Sequence, residues 1–141
     1  MKDLLLLALV ILCGIAALRL ARRLLAPARP QREPQAAPWT TLTAQEARKR
    51  LEEDPGIILL DVRTQAEYDG GHIPGAVCLP VETFGDGDLT TLLPDKNAEL
   101  FVYCRSGRRS AQAARLLTDS GYTAVTDFGG ILDWPYETTR E

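Results

Sequence analysis

One histidine, His72, is all that 141 residues provide, so a cysteine–histidine catalytic pair has to use that residue or none. Cysteines are nearly as scarce. Cys13 lies in an apolar segment, Cys78 in a short apolar stretch read as a core strand (Ala76-Val77-Cys78-Leu79), and Cys104 in a loop. Three cysteines in such unlike contexts give neither a disulfide framework nor the paired spacing of a zinc site. No metal or organic cofactor is implied, and no internal repeat is visible. Broad positive charge is missing too. Residues 1–38 carry Lys2, Arg19, Arg22, Arg23, Arg29 and Arg32 against Asp3 and Glu33, a net +4; the other ten bases and seventeen acids leave 39–141 at −7. An acidic domain argues against nucleic acid as a partner, because neutralising phosphates needs a basic surface.

What stands out against that acidic background is Cys104-Arg105-Ser106-Gly107-Arg108-Arg109-Ser110, directly after the apolar run Leu100-Phe101-Val102-Tyr103. A buried strand that ends at a thiol, a glycine-containing turn and then a helical pattern place the sulfur at the mouth of a helix. Backbone N–H groups and three guanidinium groups there both favour the thiolate. The pattern describes a small anion site that also holds a nucleophile.

The one long apolar run, Leu4 to Leu18, has fifteen residues. As a helix it spans roughly 22 Å at about 1.5 Å per residue, short of the roughly 30 Å hydrocarbon core. Extension to Leu25 brings in Arg19, Arg22 and Arg23, which can snorkel. The larger basic cluster comes after the run, whereas a cleavable signal has its charge in front. By the positive-inside tendency the expectation is a single-pass anchor at residues 1–25 in the inner (cytoplasmic) membrane, with the domain in the cytoplasm. The alternative is an exported or periplasmic-facing domain. Residues 26–39, with Pro27, Pro30, Pro34 and Pro38, read as an extended spacer, and 40–141 as one domain.

Within that domain, Thr43-Ala44-Gln45-Glu46 and Thr64-Gln65-Ala66-Glu67 both have the form of a capping box. Ile57 to Val62 reads as a strand covered on both faces, Glu99 to Tyr103 as the strand before Cys104, and Ala124 to Phe128 as the last strand. A helix comes after the cysteine loop and ends near Ser120, with Gly121 after it. Strands alternating with helices give an α/β fold, a central and mostly parallel sheet with helices on both faces. Ligands of such sheets bind beyond the carboxyl ends of strands, where Cys104 falls.

Three signatures in this order resemble rhodanese-like domains. Leu60-Asp61-Val62-Arg63, Glu67-Tyr68 and Gly71-His72-Ile73-Pro74-Gly75-Ala76 form the first. The loop from Val102 through Ser110 resembles the active loop of single-domain rhodaneses, and Tyr122, Val125, Gly129-Gly130-Ile131 and Trp134 their C-terminal element. The resemblance implies a thiosulfate sulfurtransferase in which Cys104 takes sulfane sulfur as a persulfide and passes it to cyanide, a small thiol or a protein acceptor. It implies that N–H groups of Arg105, Ser106, Gly107, Arg108, Arg109 and Ser110 surround the sulfur. Arg105 and Arg109 are then the candidates to bind the oxyanion end of the donor, with Arg108 as a surface guide. His72, the Asp61–Arg63 pair and Trp134 are expected to be structural, Gly129-Gly130 to supply unusual backbone angles, and Cys78 to be a small buried hydrophobe.

Two other readings exist. A cysteine phosphatase of related fold needs its phosphate-gripping arginine one position later, where this chain has Ser110. A non-catalytic module that recruits a partner to the membrane has no need of an intact Cys104.

Overall fold

The computed structural model describes residues 38–85 and 89–141. The expected membrane segment and nearly all of the proline-rich spacer lie outside the described residues. Among the described residues no helix is long and apolar enough to cross a membrane.

Five parallel strands form one sheet: β1 (Thr40–Thr41), β2 (Ile58–Asp61), β3 (Val77–Cys78), β4 (Glu99–Cys104) and β5 (Ala124–Gly130), in the order β1-β5-β4-β2-β3. Four α-helices connect them: α1 (Ala44–Glu53), α2 (Gln65–Asp69), α3 (Leu89–Leu92) and α4 (Arg108–Asp119). Both expected capping boxes form, at Thr43 with Glu46 and at Thr64 with Glu67, each side chain satisfying a backbone N–H of the other's residue. Gly121, at φ +90°, carries the chain out of α4 in the left-handed region, as its position predicted.

Alternation along the strands sorts the side chains into two cores. Leu60, Leu100, Val102, Cys104 and Val125 face α4, whose Ala113, Ala114 and Leu117 are fully buried against them. Leu59, Phe101, Tyr103 and Phe128 face the other way, against Ala47 of α1, Ile73 and Trp134. Helices on both faces therefore hide β4 from Leu100 to Cys104, which is why that stretch shows no polar alternation. Cys78 departs from its expectation. It is half-buried, because β3 is the edge of the sheet and not an interior strand.

On the second face the first sequence signature closes into a network. Arg63 forks onto the Asp61 carboxylate, Tyr103 donates its hydroxyl to Asp61 Oδ2 at 2.6 Å, and Arg63 also donates to the Gly71 carbonyl at 2.8 Å. Asp61 is 0% exposed and Arg63 5%, so each charge relies on the other. His72 stacks on Tyr68, with ring centroids 3.6 Å apart, and its Nδ1 lies 3.0 Å from the Tyr68 carbonyl. Asp61, Arg63 and His72 are thus buried and engaged within the domain.

Candidate active site

β4 and α4 make the site by the way the chain turns between them. Cys104 is the last residue of β4 and is 1% exposed. Beyond it Gly107 takes φ +96°, a conformation costly for any side chain, and α4 begins at Arg108. The turn points donors back at the sulfur, with the Gly107 N–H 3.1 Å from Sγ. Burial pushes the Cys104 thiol up, but the N–H and hydroxyl of Ser110 and the N–H groups of Gly107 and Ser106 outweigh it, so the thiol is held below its ordinary value. The helix mouth foreseen in the sequence is thus formed by Ser106, Gly107 and Ser110, with α4 starting at Arg108.

The glycine pair after Phe128 is the floor of the loop. Gly129 has φ +89°, as expected of a turn glycine. Gly130 differs: its backbone is extended (φ −132°), and its need is space. A Cβ there would lie 2.2 Å from the Arg105 carbonyl oxygen and 2.6 Å from the Ser106 nitrogen. Leu132 N–H donates to that same Arg105 oxygen at 3.2 Å. The backbone of Arg105-Ser106 is therefore laid on Gly130 and fastened beside it.

The three arginines divide. Arg109 forks onto Glu67, Nη1 to Oε2 and Nη2 to Oε1, both at 2.7 Å. That guanidinium was expected to grip the donor, but it is engaged in joining α4 to α2. Hydrogen bonds from Arg109, helped by the Thr64 cap and opposed by burial, hold the Glu67 carboxyl at about 2. Arg105 and Arg108 are exposed, with no ion-pair partner among the described residues. Arg105 lines a shallow depression of about 350 Å³ with Glu67, Gly71 and Leu132. Its charge is the unpaired one there, since Arg63 is held by Asp61 and Glu67 by Arg109.

Sequence reasoning missed two residues. Glu67 was visible as a helix cap and as part of the first signature; nothing local signals a second bond to a residue forty-two positions away. Asp127 was not singled out at all. It lies buried on β5, accepting the Gly129 N–H at 2.9 Å. Among the described residues no three His, Cys, Asp or Glu side chains are grouped to hold a metal ion.

The comparisons with known proteins agree with this arrangement. The rhodanese-like domain model matches residues 43–136. The thiosulfate sulfurtransferase PspE of Escherichia coli strain K12 is 39% identical over 74 residues, 52% of this chain and 70% of that protein. A sulfurtransferase of Allochromatium vinosum is 37% identical over 93 residues, 61% of this chain and 78% of its own. A solved E. coli rhodanese with anions superposes with a TM-score of 0.55 at 34% identity, covering 60% of this chain and 99% of that one. With a family match over most of its length, a parallel sheet of the same fold and a thiol-bearing loop at the end of β4, this chain belongs to the rhodanese-like domain family.

Proposed function

We propose that the protein moves sulfane sulfur from an anionic donor, thiosulfate or a persulfide, to a thiol or cyanide by way of a persulfide on Cys104. The observation that carries the reading is the thiol at the end of β4, ringed by the N–H groups of Ser106, Gly107 and Ser110. The Cys104 thiolate attacks the outer sulfur of thiosulfate, the S–S bond of the donor breaks, and sulfite leaves with the bonding pair. The new outer sulfur is an anion that the same donors stabilise, as they do the thiolate. An acceptor thiolate or cyanide then attacks that sulfur, and the Cys104 thiolate leaves. The loop favours the ionised nucleophile, which reduces the need for a general base.

Arg105 and Arg108 supply the unpaired positive charge that draws an anionic donor to the loop, and Arg109 holds the loop in place through Glu67. That engagement of Arg109 also weighs against the phosphatase reading, which needs a free guanidinium beside the thiol. The apolar run Leu4 to Leu18 and the arginines after it support a tether to the cytoplasmic membrane with the domain inside the cell; protease accessibility in sealed vesicles of each orientation tests the side. The chemistry is tested by thiosulfate:cyanide sulfur transfer in the wild type, Cys104→Ser and Cys78→Ser. Activity in the first and third alone is the expected result, and a fully active Cys104→Ser contradicts the reading.

A further inference from the structure

α2 carries the acidic half of the fork that holds the sulfur loop, yet it is a slight helix. It has five residues, and none of them is buried. A single turn of helix does not hold itself in water, so what fixes Glu67 has to come largely from outside α2.

Much of that support comes from the chain beyond β5. Gly71, at φ +142°, turns the backbone out of α2, and His72 then lies antiparallel to Thr139. The His72 N–H donates to the Thr139 carbonyl and the Thr139 N–H to the His72 carbonyl, both at 2.8 Å. Arg140 adds a bond from Nε to the Gly70 carbonyl at 3.2 Å. Upstream the same segment is anchored in the core by Trp134, 6% exposed, whose Nε1 donates to the Glu137 carbonyl at 3.4 Å. The segment is thus a strap, tied to the core at one end and to the end of α2 at the other. Nearer neighbours complete the support: Arg63 holds the Gly71 carbonyl, and the Tyr68 hydroxyl donates to that of Ala76, each at 2.8 Å.

The sulfur chemistry makes no direct use of Thr139 or Arg140. Their path to it runs through Glu67, which receives both Nη atoms of Arg109 in the first turn of α4. A bidentate fork demands that both partners keep their place and orientation. We infer that Thr139 and Arg140 are positioning residues for the sulfur loop: they hold α2 where Glu67 meets Arg109, and so keep the N–H donors of Ser106, Gly107 and Ser110 turned on the Cys104 sulfur. The strap therefore reaches the loop from a distant part of the chain without touching it.

The inference rests on the Cys104 loop as the site of sulfur transfer, but one readout of its test does not depend on that transfer. Hydrogen exchange of the full chain, followed peptide by peptide, reports how often the amides of α2 and of the loop open. Thr139→Pro removes the N–H donated to His72. It is expected to speed exchange in α2 and in the peptide holding Ser106 and Gly107 by about fivefold, the fold-change of one lost hydrogen bond. In the thiosulfate:cyanide assay kcat should fall by a like factor, with KM for thiosulfate unchanged because Arg105 and Arg108 are untouched. Arg140→Gln should act in the same direction, by about twofold.

Glu67→Gln weakens the link between α2 and the loop. In that background Thr139→Pro should still loosen α2, but loop exchange and kcat should stay where Glu67→Gln alone leaves them. Loosening confined to α2 and His72 in Thr139→Pro, or the same further loss in the loop without the Glu67 carboxylate, overturns the inference. Should Thr139→Pro not fold, a loop that exchanges as in the wild type in Arg140→Gln overturns it equally. Coupled exchange in a protein that gains no sulfur from thiosulfate supports the strap and refutes the carrier role.

Discussion

Cys78 and Cys104 both close a strand of the same parallel sheet, yet their surroundings push the two thiols in opposite directions. At Cys78, burial and the nearby carboxylates of Asp61 and Asp69 raise the thiol, and the sulfur's contact is the Arg63 carbonyl at 3.9 Å. At Cys104, donors from a helix N-terminus overcome burial. Strand-end position alone does not favour a thiolate. The element into which the strand leads decides it: β4 runs through a left-handed glycine into a twelve-residue helix, whereas β3 runs through Leu79-Pro80 into a single 3-10 turn that offers the sulfur no N–H groups. The two cysteines also lie on opposite faces of the sheet, Cys78 beside Asp61 and Cys104 with Leu60 and Val102.

The contrast between the two thiols is lost most completely by changing Cys104 itself. Cys104→Ser is expected to abolish sulfur transfer, and Cys78→Ser to retain it, in the thiosulfate:cyanide assay. Next in size is Gly130→Ala. The added methyl meets the Arg105 carbonyl at 2.2 Å, so the loop must move. Activity should fall about a hundredfold for a displacement near 1 Å, with about 1–3 kcal/mol lost in denaturant melts. Glu67→Gln removes one charge of a partly buried fork and frees Arg109. It should cost on the order of 1 kcal/mol and lower kcat through a looser loop, and Glu67→Asp should restore part of it.

The same pair sets an acid dependence. Glu67 is depressed from 4.5 to about 2, so the stability it contributes is present above the unfolded value and is lost as pH falls through this window. Thermal melts of wild type and Glu67→Gln should converge there and differ above it. Smallest is Arg108→Gln, which leaves the loop intact and should raise KM for thiosulfate a few-fold with kcat unchanged.

Most of the fold was legible because its signals are local. Capping boxes at Thr43 and Thr64, the apolar run of β4 and the glycine after α4 each report on neighbours within a few residues. The cysteine loop was legible for the same reason, since strand, glycine and helix succeed one another directly. Long-range pairings were not. Nothing near Arg109 tells that Glu67 engages it, and nothing near Gly130 tells that the Arg105 backbone rests on it. β1 has two residues and gains its identity only by lying along β5. The edge position of β3, and with it the half-exposure of Cys78, depends on strand order, which the sequence does not carry locally.

Intact-mass spectrometry of the protein after exposure to thiosulfate, wild type beside Cys104→Ser, puts the persulfide carrier to the plainest test. A gain of one sulfur atom is expected in the wild type, removed by cyanide and absent from the variant. The same gain in Cys104→Ser, or none in the wild type with thiosulfate or a persulfide donor, would contradict a sulfur carrier at Cys104.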